Sequence, residues 1–114
     1  MKTQYLEFVS TDVDAICKTY EEVHGVTFGE PEASFGNARI AKLPDGGFVG
    51  VRAPLRETEQ PIVRPYCLVE DIDAAVAKAS DAGAQIALPP MEIPGQGKFA
   101  IFIQGGIEHG LWQL

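Results

Sequence analysis

The sequence predicts an α+β protein made of two similar modules of about sixty residues, each ordered β-α-β-β-β. An internal repeat carries most of that prediction. With Asp12 set on Asp71, an offset of 59, TDVDA faces EDIDA, and Val13, Ile16, Cys17 and Tyr20 face Ile72, Ala75, Val76 and Ala79. These are the i, i+3, i+4 and i+7 positions of two amphipathic helices, so the repeat preserves a buried face. The echo extends to the flanking segments: Tyr5, Glu7 and Val9 face Arg64, Tyr66 and Leu68, and GNARIA faces GQGKFA. A second observation is the pair of matching turn signals, Gly46-Gly47 and Gly105-Gly106, each between two apolar runs near the end of its module.

The elements follow in order. Gln4 to Val9, rich in aromatic and apolar residues, reads as a strand ended by Ser10 and Thr11. Thr11 or Asp12 is then a suitable N-cap, Asp14 sits near the positive end of the helix dipole, and Gly25 stops a helix running from Asp12 to His24. A short strand is expected at Val26 to Gly29, and a hairpin of Ala38 to Leu43 with Phe48 to Ala53 closes across Pro44-Asp45-Gly46-Gly47. Residues 54–61, PLRETEQP, are polar, hold two prolines and show no hydrophobic period, so they read as a linker. The second module runs as a strand at Val63 to Val69, a helix at Asp71 to Ala82 closed by Gly83, a short strand at Gln85 to Ala87, and a loop LPPMEIPGQG. A hairpin of Lys98 to Gln104 with Glu108 to Leu114 completes it. The expected organisation is one domain over 1–114, with module one at 1–53, the linker at 54–61 and module two at 62–114.

Composition narrows the function classes. A content of 46% hydrophobic residues over 114 suits an ordinary globular core. The net charge of −7, with scattered Lys and Arg, argues against nucleic acid as a partner. No apolar run approaches the roughly 20 residues that span a bilayer, so no membrane partner is expected. MKTQYLEF places acidic Glu7 where a secretory signal would be apolar, so the expected location is the cytoplasm. Cys17 and Cys67 both fall on core faces and are expected to be free thiols rather than a disulfide.

The [TE]-D-[VI]-D-A corner opening each helix, the loop PPMEIPGQGKFAIF and the ending GLWQL resemble the vicinal oxygen chelate superfamily. That superfamily includes glyoxalase I, bleomycin-resistance proteins and extradiol dioxygenases, and the resemblance is to members related to lactoylglutathione lyase. It implies two tandem βαβββ modules whose strands form a curved mixed sheet around a shared cavity, helices on the outer face, often in a homodimer. Function must then be read from the cavity.

Strand alternation says which residues face it. Leu6, Phe8, Cys67 and Val69 are apolar and should pack under the helices, which leaves Tyr5, Glu7 and Val9, and Arg64, Tyr66 and Leu68, on the concave face. From the last strand Glu108, Gly110 and Trp112 share one face. Candidate ligand-binding residues are therefore Tyr5, Glu7, Arg64, Tyr66, Glu108 and Trp112. Arg64 is the one cation this places on the face, with Glu7 and Glu108 as its expected partners. An arginine between glutamates beside aromatic rings suits a polar or aromatic small molecule.

In metal-using relatives a divalent ion is held near the start of each module's first strand and the middle of its last. Those positions correspond here to Tyr5, Gly50, Arg64 and Gly110, none a usual ligand, so no metal and no cofactor is expected. A one-residue slip in register would bring His109 forward instead. Three functions stay open: a metal-independent small-molecule-binding protein, a metal-dependent lyase or isomerase with Glu7 or Glu108 as base, and an interaction module whose cavity Trp112 and Tyr66 fill. His24 suits the dipole of the helix end, the paired aspartates suit helix N-caps, and GGFVG and GQG suit turns rather than a phosphate loop.

Overall fold

The computed structural model describes all 114 residues, which divide into two compact units, Tyr5–Val63 and Arg64–Leu114, the latter joined by Met1–Gln4. The architecture is α+β, built on the tandem βαβββ plan.

In the first unit, β1 (Thr3–Val9) is followed by α1 (Val13–His24), a 3₁₀ turn at Ala33–Phe35, β2 (Arg39–Lys42) and β3 (Phe48–Arg52). β3 is the central strand, antiparallel to β2 and parallel to β1, with Glu7 opposite Gly50 and Val9 opposite Arg52. Alternation sorts the faces as the sequence predicts. Leu6 and Phe8 pack with Cys17, Ala41, Val49, Val51, Val13, Ile16 and Tyr20 in the core beneath α1, while Glu7, Val9, Gly50 and Arg52 share the opposite face. Gly25, in the left-handed conformation at φ 68°, closes α1 by donating its N–H to the Glu21 carbonyl at 3.0 Å. The strand expected at Val26 to Gly29 does not form. Phe28 is buried in the core, and a single backbone bond, Gly29 N–H to the Ile40 carbonyl at 2.9 Å, ties the segment to β2.

The second unit contains β4 (Ile62–Leu68), α2 (Ile72–Asp81), β5 (Gln85–Ile93), β6 (Gly97–Gln104) and β7 (Ile107–Gln113), in sheet order β4-β7-β6-β5. Asp71 caps α2 by accepting the Ala74 N–H at 3.1 Å, and the Gln113 side chain accepts the Ile72 N–H at 2.8 Å, so β7 itself holds the start of the helix. Ile72, Ala100 and Leu111 form the core under α2 with Val69, Ala75, Val76 and Phe102 against them. Gly105 and Gly106, at φ 64° and 74°, make the two-residue turn between β6 and β7 that needs positive φ at both positions. One segment departs from expectation. LPPMEI is not a loop but the greater part of β5, paired with β6 through register shifts between Ile86 and Leu88 and between Leu88 and Met91. β5 is an edge strand in this unit, where Pro89 and Pro90 cost no inner ladder bond. No helix of the chain is long and apolar enough to cross a membrane.

Candidate functional site

Each unit holds one buried arginine, Arg52 in the first and Arg64 in the second. In the second unit β4 carries Arg64 and the start of β7 carries Glu108. Nη2 of Arg64 donates to Glu108 Oε2 at 3.1 Å and Oε1 at 3.3 Å. The partners differ in access: the Arg64 side chain is 6% exposed and that of Glu108 35%. β4 and β7 run parallel with Tyr66 opposite Gly110 and Leu68 opposite Trp112, which puts Arg64, Tyr66, Glu108, Gly110 and Trp112 on one face as alternation predicts. Tyr66 (4% exposed) and Trp112 (1%) are core side chains, their rings edge to face at 5.9 Å, with Phe99 completing the group.

The first unit holds the arginine that the sequence reading passed over. Arg52, at the end of β3, donates through Nε to Glu7 Oε2 at 2.9 Å and through its Nη1 and Nη2 fork to the two oxygens of Glu59 at 3.0 and 2.8 Å. Arg64 is the one cation among the expected site residues, but the arginine held between two glutamates is Arg52, with Glu7 on Nε and Glu59 on the fork. The Glu59 hydrogen bond raises the Arg52 pKa above its ordinary value more than burial lowers it, with Glu7 adding to the rise. Alternation could have found Arg52, two residues beyond Gly50 on the same face. Glu59, in a polar segment without a period, carried no signal. Tyr5, the remaining candidate, is buried and packs against Phe35 at 5.6 Å and Phe48 at 4.8 Å.

Of the four positions that the resemblance sets against the metal sites of relatives, Gly50 and Gly110 are each covered by a tyrosine ring. Tyr5 lies across Gly50 and the Tyr66 ring across Gly110, so closely that a Cβ at either glycine would overlap them, and a ligating side chain has no room at 50 or 110. His109 does not come forward. It stands opposite Phe102, stacked on that ring at 4.8 Å with its Nε2 3.3 Å from the Gln104 carbonyl, on the α2 side of the sheet. No three His, Cys, Asp or Glu side chains converge as a metal would require. Cys17 and Cys67 are free thiols, and burial pushes Cys17 upward in pKa. A groove of about 480 Å³ beside the β5–β6 turn is lined by Glu92, Ile93, Gln96, Lys98, Gln113 and Leu114 among others. The buried charged residues Glu7, Arg52 and Arg64 are not among its lining.

With its fold and site described, the chain belongs to the vicinal oxygen chelate superfamily, the glyoxalase and bleomycin-resistance group. Among proteins of that kind it is 33% identical over 96 residues to "Putative glyoxylase CFP32" of Mycobacterium bovis and of Mycobacterium tuberculosis. That alignment covers 83% of this chain but 37% of the relative, so the chain spans little more than a third of those proteins' length. No family profile matches the sequence. The fold is similar to methylmalonyl-CoA epimerase from M. tuberculosis, with TM-score 0.77 at 16% identity over 97% of this chain and 86% of that one. It is also similar to the Streptomyces coelicolor epimerase in complex with 2-nitronate-propionyl-CoA, with TM-score 0.69 at 16% identity over 99% and 94%.

Proposed function

We propose that the chain is a small-molecule-binding protein of the glyoxalase and bleomycin-resistance type that takes a carboxylate-bearing or otherwise anionic ligand on Arg64 without a bound metal. The observation that carries this is the unequal burial of the Arg64–Glu108 pair. A guanidinium withdrawn from water needs an acceptor, and its resident acceptor is a carboxylate exposed enough to swing away and be replaced by a ligand anion. Tyr66 and Trp112 hold the strand positions around Arg64 and would set the shape of what enters, including an aromatic ring. Tyr5 and Glu7, with Arg52, are the corresponding polar and aromatic set of the first unit. The epimerase likeness is one of fold, and it makes methylmalonyl-CoA a rational probe alongside simple carboxylates.

The complete packing of Tyr66 and Trp112 favours a second reading, an interaction module with a filled interior. Two further proposals accompany the first. The protein is a homodimer, since β2 and β5 are edge strands within their units. It works in the cytoplasm, where its two free thiols would stay reduced. Light scattering should return twice the 12.3 kDa chain mass.

The test of function is a thermal-shift screen of chelator-treated protein against benzoate, propionate and methylmalonyl-CoA, with elemental analysis of the sample as purified. An upward shift without metal supports the proposal. A stoichiometric divalent ion needed for binding would make the chain a metal-dependent lyase or isomerase. Failure of every probe would favour the interaction module.

A further inference from the structure

The second buried arginine shows a distinct arrangement. The planar fork of Arg52 is met end-on by Glu59, two parallel bonds of 3.0 and 2.8 Å, which is how a guanidinium recognises a carboxylate or phosphate. Glu59 comes from the segment joining β3 to β4, and its neighbours Arg56, Glu57, Thr58 and Gln60 are exposed while its own side chain is 14% exposed. The Leu55 N–H adds a third donor to Glu59 Oε1 at 2.7 Å. Glu7 approaches from another side, on Nε, and belongs to the β1 strand. The guanidinium thus has one carboxylate partner built into the sheet and one carried on a connecting segment, and its Nη1 also donates to the Ala53 carbonyl at 3.2 Å.

We propose that the Arg52 guanidinium fork is an anion-binding site of the carboxylate or phosphate class, in which Glu59 is a tethered occupant. Lifting residues 54–61 would carry Glu59 out and leave Nη1 and Nη2 facing an incoming anion. Buried donors of a charged group demand acceptors, so the vacated fork binds a free carboxylate in place of the side chain. The site lies within the first unit and uses none of the residues on which the Arg64 proposal depends, so either can fail without the other.

Chemical rescue tests it. Glu59→Ala removes the tethered carboxylate, and the variant should melt below the parent. Added acetate, at ionic strength held constant with chloride, should then raise its melting temperature by several degrees while moving the parent little. Trypsin cleavage after Arg56, in the same segment, should be faster in the variant and slowed again by acetate. If Glu59→Ala does not fold, Glu59→Ser, which leaves similar space with a solvated hydroxyl, is read in the same way. Inorganic phosphate in place of acetate tells which anion class the fork prefers. The proposal is overturned if neither anion protects either variant more than chloride does, or if both protect the parent equally.

Discussion

Tyr5 lies across the backbone of Gly50, with its hydroxyl oxygen where a side chain at 50 would begin: a Cβ there would sit 2.0 Å from that oxygen and 2.7 Å from ring carbons. The second unit repeats the arrangement with Tyr66 over Gly110, where a Cβ would meet ring carbons at 2.5 and 2.6 Å and the Pro65 carbonyl oxygen at 2.7 Å. Ring and missing side chain are two halves of one packing solution. Gly50→Ala should therefore cost about 1–3 kcal/mol, the usual range for overpacking. Gly110→Ala should cost more, because there one of the obstructing atoms is backbone and cannot swing aside. Urea denaturation of the two variants checks both the sign and the order.

Arg52 should be the costliest polar residue to remove. Arg52→Leu strands the Glu7 and Glu59 carboxylates, both mostly buried, and breaking such a pair from one side costs roughly 3–5 kcal/mol. The raised pKa has a defined sign. A folded value above the unfolded one means that the contribution is complete at every pH below the unfolded arginine value, so no basic loss attributable to Arg52 should appear in the working range. Denaturation of parent and variant at pH 7 and pH 9 should show the difference undiminished at the basic end.

The two thiols should behave differently. Cys17 is buried under α1 and its pKa is raised chiefly by burial, whereas Cys67 is half-buried. A thiol reagent near neutral pH should modify Cys67 first and leave Cys17 until the protein unfolds. Because the folded Cys17 value lies above the unfolded one, the stability gained by keeping it neutral is full below the ordinary thiol range and is lost as pH rises through the folded value. Cys17→Ala should remove that alkaline loss.

Much of the fold was legible because the repeat and the alternation are local. Leu6 and Phe8 against Tyr5 and Glu7, the Asp71 cap, the Gly105-Gly106 turn, and Glu108, Gly110 and Trp112 on one face all follow from spacing that a single strand or turn enforces. The pairing of Arg64 with Glu108, 44 residues apart, needed in addition the two-module plan that the resemblance implies, which sets β4 beside β7. What escaped depends on distant pairing. Arg52 meets Glu7 across 45 residues through the parallel β1–β3 register, which no local pattern records. Glu59 is informative only because it reaches that arginine. Pro89-Pro90 reads as a strand breaker unless the strand is known to lie at an edge, where its bulges and prolines are tolerated.

The central claim is that Arg64 recognises an anion without metal and that Glu108 competes for it. Calorimetric titration of chelator-treated protein with benzoate or methylmalonyl-CoA, whichever shifts the parent in the thermal screen, tests this most directly. A charge-assisted contact is worth roughly 1.5–3 kcal/mol, so Arg64→Ala should weaken binding about tenfold to a hundredfold while remaining folded. Glu108→Gln, which removes the competing charge and keeps the shape, should tighten it. Unchanged affinity in Arg64→Ala together with a lower melting temperature would contradict the account and leave Arg64 as one half of a structural ion pair.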